Sequence, residues 1–263
     1  MNADRFTTDD GVGIAWYEWR PEVEAADGRP VLLQHGYIAN AQLNWELSGV
    51  VEAFVGAGRR VIAPDARGHG ESDKPHDVAM YGESRMATDL MQLVDLVGVD
   101  SYDLVGYSMG GVISLITAAR DSRLRHLVVG GIGAGIIDFG GVDRRSFDRT
   151  ALADALDSGA TPPTGNDGVD SFIGFIDSVG GDRAALACQA RAANSTPIPL
   201  DRITAQTLVM VGSEDDLAME PERLADAIPG AILKVVTGDH LGTILDPAFT
   251  PTAIEFTTTG WLP

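Results

Sequence analysis

The chain has 263 residues, 44% of them hydrophobic, which suits one large α/β domain with a full core. A formal charge of -19 argues against nucleic acid and anionic membrane as partners, since both require clustered Lys and Arg. A single cysteine, Cys188, excludes an internal disulfide framework and any cysteine-rich metal site, and reads as filler in an Ala-rich helix.

From the start, Met1 to Asp10 carries acids and no apolar run, and nowhere does the chain approach the roughly 18 to 20 uncharged apolar residues of a membrane helix. The expectation is a soluble, cytoplasmic protein made without a signal. A β-type stretch at 13–19 precedes the apolar strand 30–34, which stops at the turn signal His35-Gly36. A helix from Trp45 to about Gly56, a strand over 60–64, a Gly-rich loop through Ser72 and an amphipathic helix near 84–97 follow. Tyr102 to Gly106 reads as a buried strand, Met109 to Arg120 as a helix and His126 to Gly130 as another strand, an alternation that implies a parallel sheet covered by helices on both faces.

Over 131–202 the alternation breaks into Gly-rich stretches, a Pro-containing segment at 161–167 and helical pieces near 146–157, 169–178 and 183–193. This reads as a helical lid inserted into a core formed by 1–130 and 203–263. The core resumes with a strand at 207–212, a helix near 220–227, a strand at 231–236 and a final helix near 247–257.

Gly106-Tyr107-Ser108-Met109-Gly110 matches the G-x-S-x-G nucleophile elbow, and it stands between a strand and a helix, as that turn requires. A serine hydroxyl is a poor nucleophile at neutral pH and needs a base within reach and an acid to fix the tautomer of that base. Of five histidines, His240 is the candidate base, because it follows a late strand and can reach back across the carboxyl ends of the strands. His35 and His69 sit in Gly-flanked loops and read as structural, His76 lies in a polar loop, and His126 begins a strand. The acid should follow another strand end, where Glu214, Asp215 and Asp216 stand side by side.

With these motifs in order, the chain resembles the α/β-hydrolase superfamily along nearly its whole length, and more closely its lid-bearing esterases, lactonases, carbon-carbon-bond hydrolases and perhydrolases. The resemblance rests on His35-Gly36-Tyr37, Asp65-Ala66-Arg67-Gly68-His69-Gly70-Glu71-Ser72, the elbow, the acid cluster and Gly238-Asp239-His240. It implies a mostly parallel eight-stranded sheet flanked by helices, with Ser108, Asp215 and His240 as the catalytic residues. It also implies an oxyanion hole made by the backbone N–H groups of Tyr37 and Met109, and a structural role for 65–72. Epoxide hydrolases and haloalkane dehalogenases of this fold resemble the chain in their loops but carry aspartate at the elbow, so those activities are not expected.

The expected reaction is acyl transfer on a small carboxylic ester or lactone, without cofactor or metal, since the chain has neither metal-ligand spacing nor an early phosphate-binding glycine loop. Carbon-carbon-bond hydrolysis of a diketone is the second choice and perhydrolysis the third. A small-molecule receptor, or a cyclase or acyltransferase, represents other uses of the same triad. Specificity should lie in the lid, where Phe139, Phe147, Phe172, Ile173, Phe175 and Ile176 either line a pocket or form lid core. Arg144, Arg145 and Arg149 either meet a substrate carboxylate or pair with Asp143 and Asp148 at the surface.

Overall fold

The apolar runs pair into one sheet. In the computed structural model, which describes residues 3–23, 28–145 and 147–261, the strands are β1 (Asp4–Thr7), β2 (Gly13–Trp19), β3 (Val31–Gln34), β4 (Val61–Pro64), β5 (Tyr102–Tyr107), β6 (Leu124–Gly130), β7 (Gln206–Gly212) and β8 (Ile232–Val236). They lie in the order β1-β2-β4-β3-β5-β6-β7-β8, and β3 through β8 are parallel while β1 and β2 pair antiparallel at one edge. The chain moves outward from β3 to β4 on one side and then returns to place β5 on the other side of β3. Open α/β sheets bind ligands at such a switch point, outside the carboxyl ends of the strands.

Alternate side chains of the central strands enter opposite layers. Leu32, Leu104, Val129 and Val209 pack under α2 (Glu83–Val97), α3 (Met109–Ala118) and α8 (Pro221–Ala227). Val31, Leu33, Val105, Val128 and Leu208 pack under α1 (Val50–Gly56) and α9 (Phe249–Thr259). Burial on both faces is why these strands read as continuous apolar runs instead of alternating ones.

Between β6 and β7 stand α4 (Gly135–Phe139), α5 (Arg149–Asp157), α6 (Asp167–Ser178) and α7 (Arg183–Ala192). The last three enclose a separate apolar cluster of Leu152, Leu156, Val169, Ile173, Ile176 and Leu186, to which Ile38 from the loop after β3 contributes. The helix expected from residue 146 starts at Arg149, because the Asp148 side chain caps it by accepting from the amides of Thr150 and Ala151. Ser146 itself lies outside the described residues. Cys188 is a half-buried free thiol on α7.

Two other expectations shift. The helix expected over 45–56 divides into a short π-type turn at Gln42–Glu46 and α1, because Gly49 takes a left-handed conformation (φ 79°) between them. The last helix starts two residues late, at Phe249, where the Asp246 carboxylate and carbonyl take the amides of Ala248 and Phe249. No helix among the described residues is long and apolar enough to cross a membrane.

The turn from β5 into α3 is packed without spare room. A Cβ on Gly110 would overlap the carbonyl oxygens of Gln34, at the end of β3, and of His35 just after it, and one on Gly106 would overlap Ser114 and the Gly110 carbonyl. Backbone cannot step aside as a flexible side chain can. Gly110→Ala is therefore expected to lower the unfolding free energy by at least about 3 kcal/mol, read from the urea midpoint.

Candidate active site

Ser108 sits between β5 and α3 with φ 56° and ψ -118°, a conformation that a non-glycine residue keeps only where its surroundings hold it. Here its amide donates to the Gly130 carbonyl at 2.8 Å and its carbonyl accepts from Val112 at 3.1 Å. The strain leaves the hydroxyl projecting above the carboxyl end of the sheet.

His240 comes from the loop after β8. Asp239 shapes that loop by accepting the amides of Leu241 and Gly242, and the Tyr107 hydroxyl donates to the His240 carbonyl at 2.7 Å. The imidazole Nε2 lies 3.0 Å from Ser108 Oγ, and Nδ1 lies 2.9 Å from both carboxylate oxygens of Asp215. A carboxylate at Nδ1 places the ring proton there and leaves Nε2 as the acceptor facing the serine.

Of the three neighbouring acids, Asp215 is buried while Glu214 and Asp216 face solvent. The turn after β7 accounts for this. The Asp215 amide donates to the Gly212 carbonyl and its Oδ1 accepts from Leu217, which rotates that one side chain inward.

The loop after β3 passes directly over Ser108. Gly36 donates its amide to Asn44 Oδ1 at 2.8 Å, and a Cβ built on Gly36 would touch Ser108 Cβ. Beyond it, the Tyr37 ring reaches α7 by donating its hydroxyl to the Leu186 carbonyl at 2.8 Å. Among the described residues, neither the Tyr37 nor the Met109 amide donates to a protein acceptor. Met109 opens α3, so its N–H is one of those a helix leaves unpaired.

His35 and His69 hold this loop system from below. His35 Nδ1 bonds the Gly36 carbonyl at 2.8 Å while Nε2 accepts from the Ala66 amide at 2.9 Å, which employs both nitrogens of a neutral ring. The loop expected to be structural is held together in the same way, with Asp65 accepting the amides of Ala41 and Glu71. Burial pushes His35 down to about 4 and His69 down to about 3. The unfolded chain therefore takes up these protons first, so the stability is intact above about pH 6.5 and is lost as the pH falls through the folded values. The fall of unfolding free energy from pH 6 toward 4 is expected to be steeper by about 1 kcal/mol per pH unit than in His35→Gln, measured by urea titration.

Beside Ser108 opens a cavity of about 490 Å³. The turn after β3 contributes Leu43 and Leu47, and the segment after His240 contributes Leu241, Ile244 and Leu245. Leu47, Leu241 and Leu245 remain mostly exposed, which makes the rim of the cavity apolar. The helical segment between β6 and β7 supplies Phe147, Phe172 and Phe175, the first two stacked at 4.1 Å between ring centres. The six apolar candidates thus divide. Ile173 and Ile176 are fully buried in the apolar cluster of α5, α6 and α7, while Phe139 lies under the Arg144 guanidinium. At about 100° per residue, one helix presents Phe172 and Phe175 to the cavity and Ile173 and Ile176 to its neighbours.

All five expected site residues, Tyr37, Ser108, Met109, Asp215 and His240, converge at this place, and the three expected loop histidines do not enter it. A family model described as alpha/beta hydrolase fold matches residues 29–161. The chain belongs to that family. Over 128 residues it is 34% identical to a non-heme chloroperoxidase of Streptomyces lividans, a match covering 47% of this chain and 42% of the relative. Over 107 residues it is 39% identical to a 2-hydroxy-6-oxo-2,4-heptadienoate hydrolase of Pseudomonas putida, covering 40% and 37%. The chain thus spans less than half the length of these curated relatives. A solved hydrolase structure from Pseudomonas aeruginosa superposes with a TM-score of 0.73 at 25% identity, over 97% of this chain and 98% of that one. Within the alpha/beta hydrolase fold family frame, sequence reasoning missed the cavity residues Leu43, Leu47, Glu83, Gln189 and Ile244. Only the apolar residues directly after His240 carried a signal, by adjacency.

Proposed function

We propose that this protein is a cofactor-free serine hydrolase acting on a carboxylic ester or lactone of a small, partly apolar molecule. The observation that carries the reading is the unbroken relay from Asp215 through His240 to Ser108, with contacts of 2.9 and 3.0 Å, at the mouth of a largely apolar cavity. Ser108 Oγ attacks the carbonyl carbon while His240 Nε2 takes its proton. The amides of Tyr37 and Met109 hold the oxyanion, at about 3 to 4 kcal/mol for each donor. Collapse of the tetrahedral intermediate expels the alcohol, which receives the proton from His240, and leaves an acyl-enzyme on Ser108. Water activated by His240 then releases the acid and restores the serine. The insertion 131–202 acts as the lid, with Phe147, Phe172 and Phe175 excluding water from the acyl group.

A series of p-nitrophenyl esters tests this. Ser108-dependent turnover is expected to rise with acyl length until the chain fills the cavity and then to fall. Equal rates with wild type and Ser108→Ala would overturn the reading. A second reading, carbon-carbon-bond hydrolysis, draws on the similarity to the 2-hydroxy-6-oxo-2,4-heptadienoate hydrolase, because that compound is a keto acid with no ester to cleave. Turnover of such a keto acid without any ester hydrolysis would favour it.

A further inference from the structure

Three arginines cluster at the entry to α5, and their surroundings differ. Arg145 forks onto the Asp143 carboxylate, with Nη2 at 2.6 Å, and Arg144 covers the Phe139 ring at 5.8 Å. Both are exposed. Arg149 is half-buried, lines the same cavity as Ser108, and makes no hydrogen bond or ion pair with any described residue. A guanidinium carries five N–H donors, and partial burial without an acceptor is unfavourable.

The acid that acts on Arg149 is Glu83, buried in the wall of the cavity at the first turn of α2, and no ion pair joins the two. The Glu83 carboxylate is already taken by the amide of Asn194 at 2.5 Å and by the Gln189 side chain. Burial also pushes the Glu83 carboxyl up from its usual range. The cavity therefore presents a fork-shaped cation whose donors have no acceptor among the described residues, set among Phe and Leu side chains.

We propose that the substrate carries a carboxylate besides its reacting carbonyl, and that Arg149 holds that carboxylate inside the cavity. The inference rests on the cavity beside Ser108 being the substrate site. A planar carboxylate matches the guanidinium fork with two parallel hydrogen bonds, and the aromatic wall accommodates the apolar stem between the two ends. The overall charge of -19 repels anions at long range, so a preference for an anionic substrate has to arise locally.

The test compares p-nitrophenyl glutarate, which bears a free carboxylate, with p-nitrophenyl valerate, which ends in a methyl at the same place. The kcat/KM ratio is expected to favour the glutarate ester by at least about tenfold in wild type, to fall by about 10- to 100-fold in Arg149→Gln, and to recover partly in Arg149→Lys. Arg145→Gln, outside the cavity, keeps the wild-type ratio. A wild type that prefers the valerate ester, or an equal fall in Arg145→Gln, overturns the proposal. A parallel calorimetric comparison of 4-phenylbutyrate with 4-phenylbutanamide needs no turnover. If neither ester is hydrolysed but the acid binds at least about tenfold tighter than the amide through Arg149, the hydrolase reading fails and the carboxylate site stands. If wild type binds acid and amide alike, the carboxylate site is overturned whatever the variants do.

Discussion

Ser108→Ala is expected to lower kcat by at least about 10⁴-fold with little change in stability. The substitution removes a single oxygen whose side-chain partner is His240 Nε2 at 3.0 Å, while the backbone bonds to Gly130 and from Val112 that hold the strained turn remain. What is lost is the covalent route itself, because the Ser108 hydroxyl is the group that His240 Nε2 contacts. His240→Ala should cost a similar factor, since an unassisted serine is as inert as a missing one. The double variant should be no worse than either single change, because residues that act as one unit do not add. Single-turnover release of p-nitrophenol measures this directly, and near-normal turnover in Ser108→Ala would remove the assignment of the nucleophile.

Asp215→Asn should reduce kcat by about 10⁴-fold, whereas Asp216→Asn should change it by less than about threefold. The carboxylate of Asp215 meets His240 Nδ1 through both oxygens and is buried. An amide in its place offers an N–H toward Nδ1, which favours the tautomer with the proton on Nε2, pointed at Ser108 Oγ and unable to accept from it. Asp216 faces solvent, where its charge is screened. Steady-state kinetics of the two variants with one ester decides between them, and the reverse order of damage would move the acid by one residue.

The edge strand β1 escaped the sequence pattern because three of its four residues, Asp-Arg-Phe-Thr, are polar and most are exposed. Its pairing with β2 is supported from outside the strand, by Arg5 reaching Asp73 and the Glu71 carbonyl. Pattern reading finds strands that must be buried on both faces and overlooks one that needs only a neighbour. The Arg149 site was visible only as one member of a basic cluster, since each of the three arginines is the same residue type on the same short stretch and only their packing tells them apart.

By itself the sequence determined the parallel α/β core, the elbow at Ser108 and the loop that carries His240. Apolar runs buried on both faces, a turn that excludes any Cβ at Gly106 and Gly110, and residues placed at strand ends all leave local marks. Tertiary structure alone decided which face of α6 meets the cavity and that Arg149 lines the cavity with no hydrogen bond or ion pair among the described residues. These outcomes depend on contacts between residues far apart in the chain, such as Ser108 with His240 across 132 positions, and local preference carries no information about a partner that only folding brings near.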